Sequence, residues 1–244
     1  MPYTSVFRRY EMKYLLTPAQ AEAVLQGIEP YMQLDSYGRT SIRNVYYDTD
    51  SFRLIRRSLE KPAYKEKLRI RCYNSATPDA PVFVELKKKY DGVVYKRRIA
   101  LPESVATDWL AGCRVCPENT QISREIDYFK HHYAPLLPSM FLSYEREAFY
   151  ERDGGDFRIT FDNNILCRRS DISLCSPVYG HSILPPDRLL MEIKCSGAIP
   201  LWMVEILSRE KIYKSSFSKY GNAYLQTVLN NIQSDFAKEL STNA

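Results

Sequence analysis

The 244-residue chain has only three histidines, His131, His132 and His181, too few to favour a histidine-based metal site. No apolar run approaches the roughly 18 residues that a membrane-spanning helix needs. The opening MPYTSVFRRYEMKYLL is broken by charge too early for a signal-peptide core. Those two absences make a soluble, cytoplasmic chain the expectation. There is neither a Walker loop nor a G-x-G-x-x-G, so any phosphate must be gripped by side chains rather than by a backbone cradle. The six cysteines include one CxxC, Cys113 and Cys116, without a second pair or a histidine at zinc spacing. That pair follows DWLAG, a helical stretch, and is expected to be ordinary reduced thiol. Repeats, low-complexity runs and linkers are missing too, so residues 1–244 read as one domain.

What is present is a run of alternating strands. In AYKEKLRIRCYN, Lys65, Lys67, Arg69 and Arg71 fall on one face while Leu68, Ile70 and Cys72 fall on the other. The same two-residue period marks RRYEMKYLL, SIRNVYYD, VFVELKKKY, VVYKRRIAL, SMFLSYEREAFY, DFRITFDNNI and LLMEIKCSG. YDGV and RDGGD predict antiparallel hairpins between neighbours. Helices are predicted for TPAQAEAVLQGI, where Thr17 caps, Pro18 opens and Gln20 completes a capping box, and for LPESVATDWLAG, SREIDYFKHHYAPLLP and PLWMVEILSRE. SFSKYGNAYLQTVLNNI predicts a terminal helix in which Gly221 is the weak point.

The whole chain carries +5, from 34 basic and 29 acidic residues. Nine cations are expected together: Lys13, Arg69, Arg71, Lys87, Lys96, Arg146, Arg158 and Lys194 on strands, and Lys219 at the start of the terminal helix. Three acids, Glu11, Glu85 and Glu192, share their faces, which leaves an excess of six positive charges in that subset. A solvated outer sheet face would account for any one strand. A solvated face normally mixes signs, however, because like charges opposite one another destabilise a sheet. Arg forks grip phosphate oxygens in pairs and Lys adds a mobile point charge. A basic array enclosed by strands must be wet or filled with an anion, since dry unpaired ions cost several kcal/mol each. An eight-stranded barrel has room for such an array, and a divalent cation on the acids would complete it.

The motif set resembles the triphosphate tunnel enzymes. RRYEMKYLL is similar to their first strand, with Arg9 in place of the first Glu of E-x-E-x-K, as in the vacuolar transporter chaperone (VTC) branch of polyphosphate polymerases. VYYDT, LRIRCY, VFVELKKK, VYKRRI, SYEREAFY, RITFDNNI, LMEIKC and SFSKYGNAY follow in that branch's order, over residues 7 to 230. The resemblance implies an α+β fold, a closed antiparallel eight-stranded β-barrel with flanking helices and a C-terminal helix near the tunnel mouth. It implies phosphate-gripping positions at Lys13, Arg69, Arg71, Lys87, Lys96, Arg146 and Arg158, and a metal carboxylate at Glu192. Ser218 and Lys219 match the Ser-Lys pair that contacts the phosphate chain. Glu11 and Glu85 are further metal candidates and Lys194 a further phosphate contact, while Lys65, Lys67, Lys89 and Arg98 are expected at the rim or surface.

The expected function is transfer of the γ-phosphoryl of ATP, or of another triphosphate, to inorganic polyphosphate, with Mn²⁺ or Mg²⁺ as cofactor. Lys13, Arg69, Arg71, Lys87, Arg158 and Lys219 carry the catalysis in this reading. Lys96, Arg146, Lys194 and Ser218 guide the chain. A tripolyphosphatase or nucleoside triphosphatase, and a non-catalytic polyphosphate-binding module, are the alternatives. Aromatics interleave with basic residues in KYDGVVYKRR, but acids in register with the cations would repel a nucleic acid, and no nucleic-acid partner is expected.

Overall fold

The computed structural model describes residues 10–91 and 93–229. Arg8 and Arg9, expected to open the first strand, and residues 230–232 of the expected terminal helix lie outside that range. The chain runs β1 (Tyr10–Leu16), α1 (Pro18–Ile28), β2 (Met32–Leu34), β3 (Thr40–Asp48), α2 (Arg53–Leu59), β4 (Tyr64–Tyr73), β5 (Pro81–Tyr90), β6 (Val93–Pro102), α3 (Glu103–Ala111) and α4 (Gln121–His132). It continues with β7 (Leu137–Glu151), β8 (Arg158–Arg168), β9 (His181–Ser182), β10 (Leu189–Cys195), α5 (Leu201–Arg209), β11 (Lys214–Ser215), α6 (Lys219–Tyr224) and a π-helical turn over Leu225–Leu229.

All the pairings are antiparallel, in the order β11-β1-β10-β8-β7-β3-β4-β5-β6, with β2 beside β7 and β9 beside β8. Both expected hairpins form, β5 with β6 and β7 with β8. The sheet has eleven strands and is not closed, in contrast to the eight-stranded barrel expected from the sequence. Among the described residues the outer edges of β6 and β11 carry no partner strand. Side chains bridge the gap instead. Lys87 on β5 donates to Glu11 on β1 at 2.9 Å, joining strands from opposite ends of the pairing order. The sheet is therefore curled about a concave face.

The strand period decides what each face meets. Leu68, Ile70 and Cys72 of β4 are buried on the convex side with Val82, Val84 and Leu86 of β5, under Trp109 of α3 and Ile126 and Phe129 of α4. On the other half, Ile159, Phe161, Met191 and Ile193 pack beneath Val24 and Ile28 of α1 and Met203 and Ile206 of α5. A third cluster lies on the concave side, where Ile42, Tyr46, Leu142, Tyr144 and Leu190 meet Tyr220, Ala223 and Tyr224. It fills one end of the concave face and leaves the rest to the charges.

Local chemistry sets the helix starts. Thr17 Oγ1 accepts from the Gln20 N–H at 3.2 Å while Gln20 Oε1 accepts from the Thr17 N–H at 3.0 Å, the reciprocal cap expected for α1. Helix α2 was not expected from the sequence; Phe52 at its cap has φ 57° and makes no side-chain cap hydrogen bond. The Asp48 carboxylate, at the end of β3, supplies the cap instead by accepting from the N–H groups of Thr49, Leu54 and Ile55. Gly221 tolerates its helix because a Cβ there would meet Leu59 Cδ2 at 3.0 Å, so glycine lets α6 approach α2. Ile70→Ala on the convex face is expected to cost about 2–4 kcal/mol in urea unfolding. A cost below about 0.5 kcal/mol would mean that this face is not core.

Candidate active site

Six strands and α6 deliver ten cations to the concave face: Lys13, Lys67, Arg69, Arg71, Lys87, Lys96, Arg98, Arg146, Lys194 and Lys219. Four carboxylates, Glu11, Glu85, Asp162 and Glu192, stand among them. The side chains sort into three knots of charge.

Glu85 anchors the first. Its Oε2 accepts from Arg69 Nε and Nη2 at 2.9 and 2.7 Å, and its Oε1 accepts from Arg98 Nε at 2.8 Å and lies 2.7 Å from Lys96 Nζ. Glu85 is 1% exposed. Burial works to raise its pKa, but Arg69, Arg71, Lys96 and Arg98 outweigh burial and hold it well below the usual range. Arg69 also donates to Tyr46 Oη at 2.9 Å. Arg71 meets neutral acceptors, Asn44 Oδ1 and Tyr144 Oη, both at 2.9 Å.

The second knot holds Asp162 and Glu192. Lys219 Nζ touches both, at 2.5 Å from Asp162 Oδ2 and 2.9 Å from Glu192 Oε1. Arg146 grips Asp162 with Nε and Nη2 at 2.6 and 2.7 Å and stands 3.9 Å from Glu192. Lys194 and Lys13 approach Glu192 at 3.3 and 3.8 Å. Burial favours neutral Glu192, yet Lys219, Lys194, Lys13 and Arg146 keep its pKa well below the ordinary carboxylate value. The third knot is Glu11 with Lys87. Burial raises the Glu11 pKa, and Lys87 and Lys194 reverse that and bring it to about 2.

Of the residues singled out in the sequence, Lys13, Arg69, Arg71, Lys87, Lys96, Arg146, Lys194, Lys219, Glu11, Glu85 and Glu192 face this hollow. Ser218 caps α6 by accepting from the Gly221 N–H, and its Oγ lies 3.4 Å from Lys67 Nζ. Arg158 stands apart at the rim, its side chain 44% exposed and 3.3 Å from Asp35. Lys67 and Arg98, expected at the rim or surface, join the interior instead, because they keep the same two-residue period as Arg69 and Lys96. Asp162 was missed. Its signal was a lone acid on the face of β8 shared with Thr160 and Arg158. Asn44, Tyr46 and Tyr144 were missed because a neutral polar side chain in an apolar strand gives no charge pattern.

The metal expectation has a chemical test in this donor set. Among the described residues no group of three or more Asp, Glu, His or Cys side chains gathers at one point. Magnesium-type ions commonly take one or two carboxylates plus substrate phosphates. Glu192 and Glu11, diagonal to each other across β10 and β1, could serve in that way. Both are paired with lysines, which a cation there would have to displace. Glu85 is gripped by two arginines and a lysine at hydrogen-bond distance, the most heavily engaged of the three acids expected at a metal.

A curled antiparallel sheet with flanking helices and a cationic hollow is the arrangement that the comparisons with known proteins have to match. The chain belongs to the VTC domain family, whose model matches residues 8–228. Its fold resembles a candidate adenylate cyclase from Bacillus halodurans, with a TM-score of 0.57 and 16% identity, over 92% of this chain and 100% of that one. It also resembles a candidate adenylyl cyclase from Hippeastrum reported to have a dominant triphosphatase activity, with a TM-score of 0.54 and 14% identity, over 90% of this chain and 97% of that one. No curated protein sequence matches this chain significantly. No helix among the described residues is long and apolar enough to cross a membrane.

These carboxylates titrate lower when folded than when unfolded, so their pairs stabilise fully above about pH 4.5. That stability drains as pH falls, reaching the Glu11 pair at about 2. Glu85→Gln is expected to cost about 2–4 kcal/mol at pH 7, because it strands three cations. The variant should also lose stability less steeply than wild type below pH 4.5. Equal acid slopes in chemical unfolding would contradict the Glu85 assignment.

Proposed function

We propose that this chain is a metal-dependent phosphotransferase of the polyphosphate polymerase type, moving the γ-phosphoryl of ATP onto the end of an inorganic polyphosphate chain. The observation that carries the reading is the excess of ten cations over four carboxylates on one enclosed face. Phosphoryl transfer needs alignment and charge neutralisation more than a covalent nucleophile. A row of Arg and Lys converging from separate strands supplies both.

In this reading Lys13, Arg69, Arg71, Lys87 and Lys219 hold the triphosphate, the arginines with paired N–H groups. Lys96, Arg146, Lys194 and Ser218 guide the acceptor, and Arg158 receives anions at the rim rather than in the catalytic group. Glu192 and Glu11 would hold Mn²⁺ or Mg²⁺, which supplies further neutralisation of phosphate oxygens when bound. Glu85 serves as an internal counter-ion that aims Arg69, Lys96 and Arg98. The carboxylates pair with most of the cations when no phosphate is bound, and the incoming phosphates exchange for them.

A tripolyphosphatase, with water as acceptor, is the second reading, favoured by the activity reported for the Hippeastrum neighbour. A non-catalytic polyphosphate binder is the third. Incubation with γ-labelled ATP and Mn²⁺ is expected to yield labelled chains on a gel, whereas ADP and orthophosphate alone would overturn the polymerase reading. Glu192→Gln is expected to lower turnover roughly a hundredfold or more, in the range seen when transition-state charge stabilisation is removed. Binding of tripolyphosphate by that variant should survive. Unchanged turnover would remove Glu192 from the site.

A further inference from the structure

Strands β4, β5 and β6 place three lysines in one cross-strand row, Lys67 opposite Lys87 and Lys87 opposite Lys96. Like charges opposed across antiparallel strands destabilise the sheet. Two of the three are compensated: Lys87 by Glu11 and Lys96 by Glu85. Lys67 is not. Among the described residues no carboxylate lies within ion-pair reach of it, and its one hydrogen-bond partner is the Ser218 hydroxyl at 3.4 Å. The groups that face it are Lys65 and Arg69 on its own strand, Lys13 on β1, Lys87 on β5 and Ser218 on α6. The neighbouring Glu11 is engaged by Lys87. The place is therefore a gap in the ion-pair pattern, rimmed by positive charge and one hydroxyl.

We propose that Lys67 and Ser218 form an anion subsite that receives one phosphate group of the bound chain, and that filling it draws a proton onto Lys67. The subsite rests on the phosphotransferase reading above and adds to it a residue that accounts for a cost in stability. Burial, then Lys13, Lys87, Lys65 and Arg69, push the Lys67 ammonium down to about 7. Near neutral pH the empty site thus holds a partly deprotonated lysine, and a phosphate oxygen beside it restores the charged form by taking one proton from solvent. Because the folded pKa lies below the unfolded one, protonation favours unfolding, and Lys67 destabilises the empty protein in full below about pH 7 and progressively less as pH rises toward the ordinary lysine value of 10.5. A side chain kept for structure would not do that.

The experiment is calorimetric titration of tripolyphosphate into the full chain, Lys67→Met and Lys67→Arg at pH 7.5, in two buffers of different ionisation enthalpy, with melting temperatures alongside. Lys67→Met is expected to melt higher than wild type yet bind tripolyphosphate roughly tenfold more weakly, the loss expected for one charge-assisted hydrogen bond. Lys67→Arg, which cannot deprotonate, should keep most of the affinity. Wild type should take up roughly 0.7 of a proton more than Lys67→Arg on binding, from a lysine of pKa near 7. Equal affinity in wild type and Lys67→Met, or equal proton uptake in wild type and Lys67→Arg, overturns the subsite alone. A wild-type chain that binds no tripolyphosphate overturns the phosphotransferase reading and the subsite with it.

Discussion

Everything in this protein turns on the repulsion among cations crowded onto the concave face of one sheet. Ten ammonium and guanidinium groups cannot share a partly desolvated space without anions. Four carboxylates meet most of that requirement, and three of them are shared: Glu85 by Arg69, Lys96 and Arg98, Asp162 by Arg146 and Lys219, and Glu192 by Lys219, Lys194 and Lys13. Sharing leaves the balance positive. The residual charge is what gives the hollow a use, because an anion that enters is stabilised by groups already in place and loses little to reorganisation.

The fold holds that arrangement against its own electrostatics. Apolar side chains on the convex side bury under α1, α3, α4 and α5, so the alternate residues have no choice but to point inward. Helix α6 is fixed from two directions. Its Lys219 reaches into the carboxylate knot, while Tyr220 donates to Asp48 and stacks on Tyr46 with ring centroids 4.5 Å apart. Tyr46 in turn accepts from Arg69. One buried carboxylate, Asp48, thereby ties the start of α2, the seating of α6 and the orientation of an interior arginine into one network.

The eight long strands and five of the six helices were legible from period and caps, as AYKEKLRIRCYN and TPAQAEAVLQGI illustrate. The same period placed Arg69 and Arg71 opposite the Leu68, Ile70 and Cys72 face, which the core confirms. What was not legible depended on distant parts of the chain. Helix α2 has its cap in Asp48, several residues upstream, where no local signal marks it. Two-residue pieces such as β9 and β11 are too short for any alternation to register. The Lys87–Glu11 bridge across the open side, where backbone pairing is absent among the described residues, is a property of the curled sheet, invisible to strand counting. Arg158 shares its period with Asp162 yet sits at the mouth, because period fixes the face but not the depth along it.

The central claim is that the inward cations act together on one phosphate chain. A crystal structure of the full chain soaked with tripolyphosphate tests it most directly. The account requires phosphate oxygens within hydrogen-bond reach of Arg69, Lys87 and Lys219 at once, with at least one of their carboxylate pairings exchanged. Tripolyphosphate seated on the convex surface, with all three knots of charge intact, would contradict it.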